Sequence, residues 1–256
     1  MEYIIGAYSM DVQIAPLIKN RIESGHITGI SVKGDGKYAE VTVGSRDKIL
    51  LLAGLLADIL VDNMQMHHMV SVIKRRYGHL SKKDRCDLLV ETLKKLWCGA
   101  AGKDWKRQYI KSKVAICLLE SDSQALMLDG VMRFRIRDEV EQWEKCLYCT
   151  EREIAERNER EEMIRLLRYY ITTRESLIGF VSVDPAGEGG YVLHDSDGNE
   201  VAAPYDWEEE CDRRASDVVL SYLIELSPAS VDISQVKDKE LRDVIAGVFT
   251  GRTKIQ

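Results

Sequence analysis

Cys146-Leu147-Tyr148-Cys149 is the one stretch of this 256-residue chain whose residue types and spacing match a redox or metal motif. A redox pair of that spacing needs its first Cys at a helix N-terminus after a strand, where backbone donors and the helix dipole lower the thiol pKa. Here the pair is expected two to three turns inside a helix, among Glu141, Glu144 and Glu151, whose charges oppose a thiolate. A zinc site needs a second pair, and Cys86, Cys98, Cys117 and Cys211 are not spaced to supply one. Cys146 and Cys149 are read as packing residues, and neither a metal, a cofactor nor a catalytic residue is expected.

His67 and His68, adjacent on a helix, point about 100° apart and cannot chelate one ion as an i,i+4 pair would. Met64, Met66 and Met69 around them indicate a core edge or an interface, and the isolated His26, His79 and His194 are read as structural. Asp195-Ser196-Asp197-Gly198-Asn199-Glu200 has the outline of a calcium loop. It lacks the glycine at position 6, where Glu200 stands, and a flanking helix, whereas Asp-Gly between Leu193 and Val201 is a hairpin signal. Gly34-Asp35-Gly36 and Gly187-Glu188-Gly189-Gly190 match neither a Walker loop nor a dinucleotide fingerprint, and Gly-x-Ser-x-Gly is absent.

The segment 103–113 interleaves Trp105 and Tyr109 with Lys103, Lys106, Arg107, Lys111 and Lys113, a composition that grips phosphate backbones or stacks bases. On a helix, however, Trp105 and Tyr109 are i,i+4 neighbours, so they are expected to form the buried face and leave the cations in solvent. The wider region from Lys74 to Lys113 holds thirteen Lys and Arg against four acids, a local charge of +9 in a chain of net charge −6. Such asymmetry implies an electrostatic partner or pairing between parts of the same chain. Thirteen cations spread over at least three helices need not converge, and an acidic chain repels a phosphate polymer at long range. The five cations of segment 103–113 are therefore candidate contacts for an acidic protein partner or for self-association, with nucleic acid as the alternative.

These residues must be positioned by three kinds of element. Residues 2–7, 27–32 and 38–43 read as strands and 12–22 as a helix, an N-terminal βαββ unit. From Ser45, a plausible cap, the period changes to 3.6, with helices through Val72, over Ser81–Trp97 and over Lys103–Leu128, separated at Gly99-Ala100-Ala101-Gly102. A segment from about Arg137 to Thr173 would run about 55 Å as one helix. Val140, Trp143 and Leu147 stripe its first third and Ile164, Leu167 and Ile171 its last, while nine of the twelve residues Glu151–Glu162 are charged. It is either one solvated helix or two helices meeting there. Strands over 177–183, 191–193 and 230–233, helices over 212–226 and 239–249 and an edge strand over 252–255 complete a C-terminal ββαβα(β) segment. The fold class is α+β with a helical centre. Residues 1–130 and 131–256 form two domains or one compact domain.

Two stretches resemble the YtxC-like family. Arg133-Phe134-Arg135-Ile136-Arg137-Asp138 is similar to the family's Asn/Arg-Phe-Arg-(Leu/Ile)-(Lys/Arg)-(Asp/Glu) opening of the long charged helix. Met163-Ile164-Arg165-Leu166-Leu167-Arg168-Tyr169-Tyr170-Ile171 is similar to its Phe-Ile-x-Leu-Leu-x-Tyr-Phe-Val close, with Met for Phe, Tyr for Phe and Ile for Val. The tail from Leu177 to Ile233 fits the family's hairpin, helix and Ala/Ser-Pro-x-x-(Val/Ile) step, and the first half fits in order of elements alone. The resemblance implies a setting, sporulation in endospore-forming bacteria, and no catalytic residue to carry over.

Composition agrees with an ordinary globular protein: 45% hydrophobic, 4 Pro, 18 Gly and no low-complexity segment. Met1-Glu2-Tyr3 opens no secretory signal, and the apolar run Ile49–Leu60 is broken by Asp58 and falls short of the roughly 20 residues of a membrane span. A cytoplasmic protein without a membrane segment is expected, its six Cys reduced. The reading is a non-enzymatic interaction or regulatory protein, with nucleic-acid or nucleotide binding through the basic centre as the alternative.

Overall fold

The computed structural model describes residues 1–8, 12–97, 100–120, 124–186, 190–201 and 214–254, with 100–104 as backbone alone. The chain divides into two compact units, Met1–Ile154 and Ala155–Gln256. The division falls later than residue 130 because Trp143 and Leu147, both buried, join the core of the first unit together with half-buried Val140.

The first unit opens with β1 (Glu2–Gly6), α1 (Ile14–Ser24), β2 (Ile30–Lys33) and β3 (Tyr38–Val43), the expected βαββ order. Period-2 alternation fixes the faces: β3 buries Ala39, Val41 and Val43 and exposes Tyr38 and Glu40. The β2–β3 turn needs Gly34, whose φ is +102° and where a Cβ would lie 2.8 Å from the Tyr38 carbonyl oxygen.

Next come α2 (Lys48–Ile59), a π-turn over Leu60–Met64 and α3 (Gln65–Arg76), continuous as one helix of 29 residues. By length and composition this helix could cross a membrane, which the apolar run to Leu60 alone did not suggest. Its most apolar window is 61% buried, however, and Leu52, Leu56, Ile59 and Leu60 are wholly enclosed by the unit's own core. Ser81 caps α4 (Lys82–Trp97), accepting a hydrogen bond from the Asp84 amide at 3.2 Å.

The helix expected to run to Leu128 ends early, as α5 (Ala100–Glu120). Gln124 turns the chain with φ 50°, and Ala125–Met127 pairs as β4, parallel to β1. Ala, Leu and Met favour helix locally, but the open side of β1 offers backbone partners, and tertiary pairing overrides propensity. The first sheet thus has the order β2-β3-β1-β4. After it, α6 (Leu128–Phe134) ends where the long helix was expected to begin. Buried Ile136 fills the joint, and α7 (Arg137–Thr173) runs as a single helix of 37 residues.

The second unit holds the last part of α7 and then β5 (Val181–Pro185), β6 (Tyr191–His194), α8 (Ala215–Leu226), β7 (Val231–Asp232), α9 (Lys239–Val248) and β8 (Thr253–Lys254). Its sheet has the order β6-β5-β7-β8, a hairpin extended by two parallel strands. The two mixed sheets and the helical centre make the fold α+β. Ile171, Val181, Leu223, Val231, Ile245 and Phe249 lie in the core. Asp238 caps α9 by accepting from the amides of Glu240 and Leu241. At the far end of α9, Arg168 of α7 donates to the Gly247 carbonyl through Nε (2.9 Å) and Nη2 (2.6 Å). That carbonyl belongs to the last turn of α9, where helix carbonyls lack intrahelical partners and a cation is favoured.

The loop residues Gly187, Glu188 and Gly189, Cys98, Cys211, Asp212, the Lys103 side chain and the last two residues of the chain lie outside the described residues.

Candidate functional site

Arg107 is the pivot of the basic centre, and it faces inward. Asp58 in the last turn of α2 and Asp62 in the π-turn lie four residues apart, and Arg107 of α5 reaches both, at Asp62 Oδ1 over 2.5 Å. Arg21 of α1 closes the group, 2.8 Å from Asp62 Oδ2. These four side chains are between a quarter and a third exposed, which strengthens their attraction relative to open water. Lys106 Nζ lies 3.7 Å from Oε2 of buried Glu139 on α7, Lys111 lies against Gly54 of α2, and Lys113 Nζ sits 5.3 Å from the centre of the Tyr109 ring. None of Lys106, Arg107, Lys111 and Lys113 is fully exposed.

Only half of the expected aromatic face is buried: Tyr109 is half-buried against the core, whereas Trp105 is turned to solvent. Trp105 is 63% exposed and stacks on Tyr109 at 5.7 Å, while α5 turns Arg107, Ile110, Val114 and Leu118 toward the core. Two residues along a helix are about 200° around it, so seating Arg107 on the Asp58 and Asp62 carboxylates puts Trp105 outside.

Other cations of the basic centre also meet acids of their own unit. Arg76 pairs with Glu144 at 2.9 Å, a carboxylate that also binds His68 Nε2 at 3.1 Å. Lys94 pairs with Glu91 and Lys95 with Glu153. What remains is the corner between α3 and α4. Lys74, Arg75, Lys82 and Lys83 are exposed, and among the described residues no acid lies within ion-pair distance of any of them. Residues 74–85 carry six Lys and Arg against Asp84 alone, a charge of +5. Cations in the last turn of α3 suit its dipole, but Lys82 and Lys83 occupy the first turn of α4, where the dipole disfavours them. Their position has no local structural reward, and that mismatch is the sequence signal by which the corner could have been found.

Among the described residues, the remaining chemistry-bearing side chains form no reactive arrangement. Cys146 and Cys149 sit inside α7, and burial pushes the Cys146 thiol pKa up. On the second sheet, Asp184 Oδ2 accepts the Ser182 hydroxyl (2.8 Å) and contacts His194 Nδ1 (2.9 Å). Ser182 and His194 thus share one carboxylate oxygen, not the mutual bond by which a base activates a nucleophile. Asp195 Oδ1 accepts from the amides of Asp197 and Asn199, so this segment is a hairpin turn. Among the described residues no cluster of three or more His, Cys, Asp or Glu is placed to hold a metal ion.

Exposed Cys86 and Cys149 should react with iodoacetamide near neutral pH well before buried Cys117 and half-buried Cys146. The raised pKa leaves Cys146 a smaller thiolate fraction than an ordinary thiol at any such pH. Peptide mass spectrometry over a labelling time course measures the order, and fast modification of Cys146 would contradict a packing role.

The model of the YtxC-like family matches residues 50–254. No curated protein and no solved structure matches the chain.

Proposed function

The chain belongs to the YtxC-like family, and from that premise we propose that it is a sporulation-associated cytoplasmic protein that acts by binding an acidic partner protein, with no catalytic step of its own. The observation that carries this reading is the α3–α4 corner, where Lys74, Arg75, Lys82 and Lys83 stand exposed with no acid among the described residues in ion-pair range, while nearby Arg76 and Lys95 are paired. Lys106 and Arg107 are assigned to holding α5 on the rest of their unit, which moves the proposed contact surface from 103–113 to 74–85. A carboxylate-rich surface fits this corner by charge, and such complementarity sets specificity and association rate more than raw affinity.

Nucleic acid is the second reading, favoured by the same cluster of cations. The net charge of −6 argues against it at long range. The test is affinity capture from sporulating cells by the wild type and by a Lys74→Glu, Arg75→Glu, Lys82→Glu, Lys83→Glu variant. The expected result is an acidic protein retained by the wild type, lost by the variant and bound again when both are purified and mixed at physiological salt. Retention of DNA or RNA with micromolar affinity, removed by the same reversal, overturns the reading in favour of the second. Binding of the acidic protein equally by both forms overturns the choice of surface.

A further inference from the structure

The segment Met163–Ile171 of α7 is apolar on two sides, and the second unit uses one. Ile164, Leu167 and Ile171 pack into its core, with Ile164 so close to α9 that a Cβ on Gly247 would lie 3.0 Å from its Cγ2. On the other side, Met163, Leu166, Tyr169 and Tyr170 are 44%, 58%, 71% and 43% exposed. At about 100° per residue these four fall within an arc of about 120° centred on Leu166. Four large apolar side chains within eight residues exceed the scattered exposure of an ordinary surface helix, and contiguous apolar patches mark contact sites.

We propose that this stripe is a self-association surface, in which the α7 segments of two copies pair antiparallel about a two-fold axis near Leu166. The charges that border the stripe point to a second copy. Glu159 and Glu162 lie at its N-terminal end, Glu162 paired with Arg165 of its own helix at 2.6 Å, which leaves Glu159 as the acid that faces the other copy, and Arg174 lies at its C-terminal end. Antiparallel pairing sets the acidic end of each copy against the basic end of the other, whereas parallel pairing sets Glu159 against itself. Arg174 already orients its guanidinium along this edge, 2.8 Å from the Tyr170 hydroxyl and 3.6 Å from Glu225. The arrangement is self-complementary, as an isologous contact requires, and it closes at two copies. Tyr169 and Tyr170 supply the amphipathic rings enriched in such contacts. A seam of about three helical turns is at the small end of specific interfaces, so association is reversible and weak.

Sedimentation equilibrium of the full chain tests this between about 1 and 100 µM, the range in which a small interface exchanges. The wild type should show a monomer–dimer equilibrium. Leu166→Glu should leave it monomeric throughout, with an unchanged circular-dichroism melt because Leu166 is exposed. Glu159→Arg, which turns an attraction into a repulsion at both ends of the seam, should weaken the dimer about tenfold. A wild type that stays monomeric, or a dimer that survives Leu166→Glu, overturns the proposal. Loss of the dimer together with a lowered melt is separated by Leu166→Gln. That variant keeps the size and helix preference of the side chain, and it should melt as the wild type while still weakening the dimer.

Discussion

Replacing Trp143 by Ala is expected to cost about 3 to 5 kcal/mol, the largest single-residue loss in the helical centre. Trp143 is 2% exposed, packs beside Leu147 and meets His68 edge to face at 6.5 Å between ring centres. Removing the indole deletes apolar area and leaves a void that the surrounding helices cannot close. For a unit of this size the midpoint of thermal unfolding should fall by about 10 °C. The control is Arg157→Ala in the charged middle of α7, where the side chain is exposed and the expected loss is well under about 1 kcal/mol. A melt in which Arg157→Ala is the worse of the two would show that the charged middle holds this helix.

Arg107→Glu should be the most damaging change among the cations, at about 2 to 3 kcal/mol. The substitution puts a third carboxylate beside Asp58 and Asp62 and leaves Arg21 as the remaining cation of the group. Full burial would place the loss higher and full exposure near zero. Side chains a quarter to a third exposed fall between the two. Lys82→Glu, made in the exposed first turn of α4, should not lower stability and should raise it slightly, by under about 1 kcal/mol, because a carboxylate suits that end of the helix dipole. If Arg107→Glu unfolded at the same denaturant concentration as the wild type, the Asp58 and Asp62 contacts would not be what seats α5, and Arg107 would return to the set of candidate partner contacts.

The two ends of α7 were legible because an uninterrupted helical period carries Val140, Trp143 and Leu147 on one turn system and Ile164, Leu167 and Ile171 on another. The N-terminal βαββ unit was legible because alternation in Tyr38–Val43 leaves one solution for its faces. Three features were not. Ala125–Met127 reads as helix in any local window, and its strand state depends on β1, some 120 residues earlier in the chain. The orientation of α5 was hidden for the same reason. Trp105 and Tyr109 at i,i+4 look like a core pair, and the carboxylates that claim Arg107 lie on a different helix. Arg168 is one cation among many in the sequence, and its selection by the Gly247 carbonyl depends on where α9 ends. Local signals reported what each segment prefers, and distant groups decided which of its sides was used.

The π-turn at Leu60–Met64 bears on which changes of chain length this protein tolerates. In that turn the Gln65 amide donates to the Leu60 carbonyl, five residues back in place of four, so the helix takes up one surplus residue without advancing its phase. Deleting a residue elsewhere in Lys48–Arg76 would swing everything downstream by about 100° and pull Met69, Val72 and Ile73 out of the core. Deleting one inside the turn would leave an ordinary α-helix with both flanks still seated, and would sacrifice the placing of Asp62 against Arg21 and Arg107. The surplus residue therefore separates two requirements that a regular helix would bind together: the packing of the helix can survive its loss, and the ion cluster cannot.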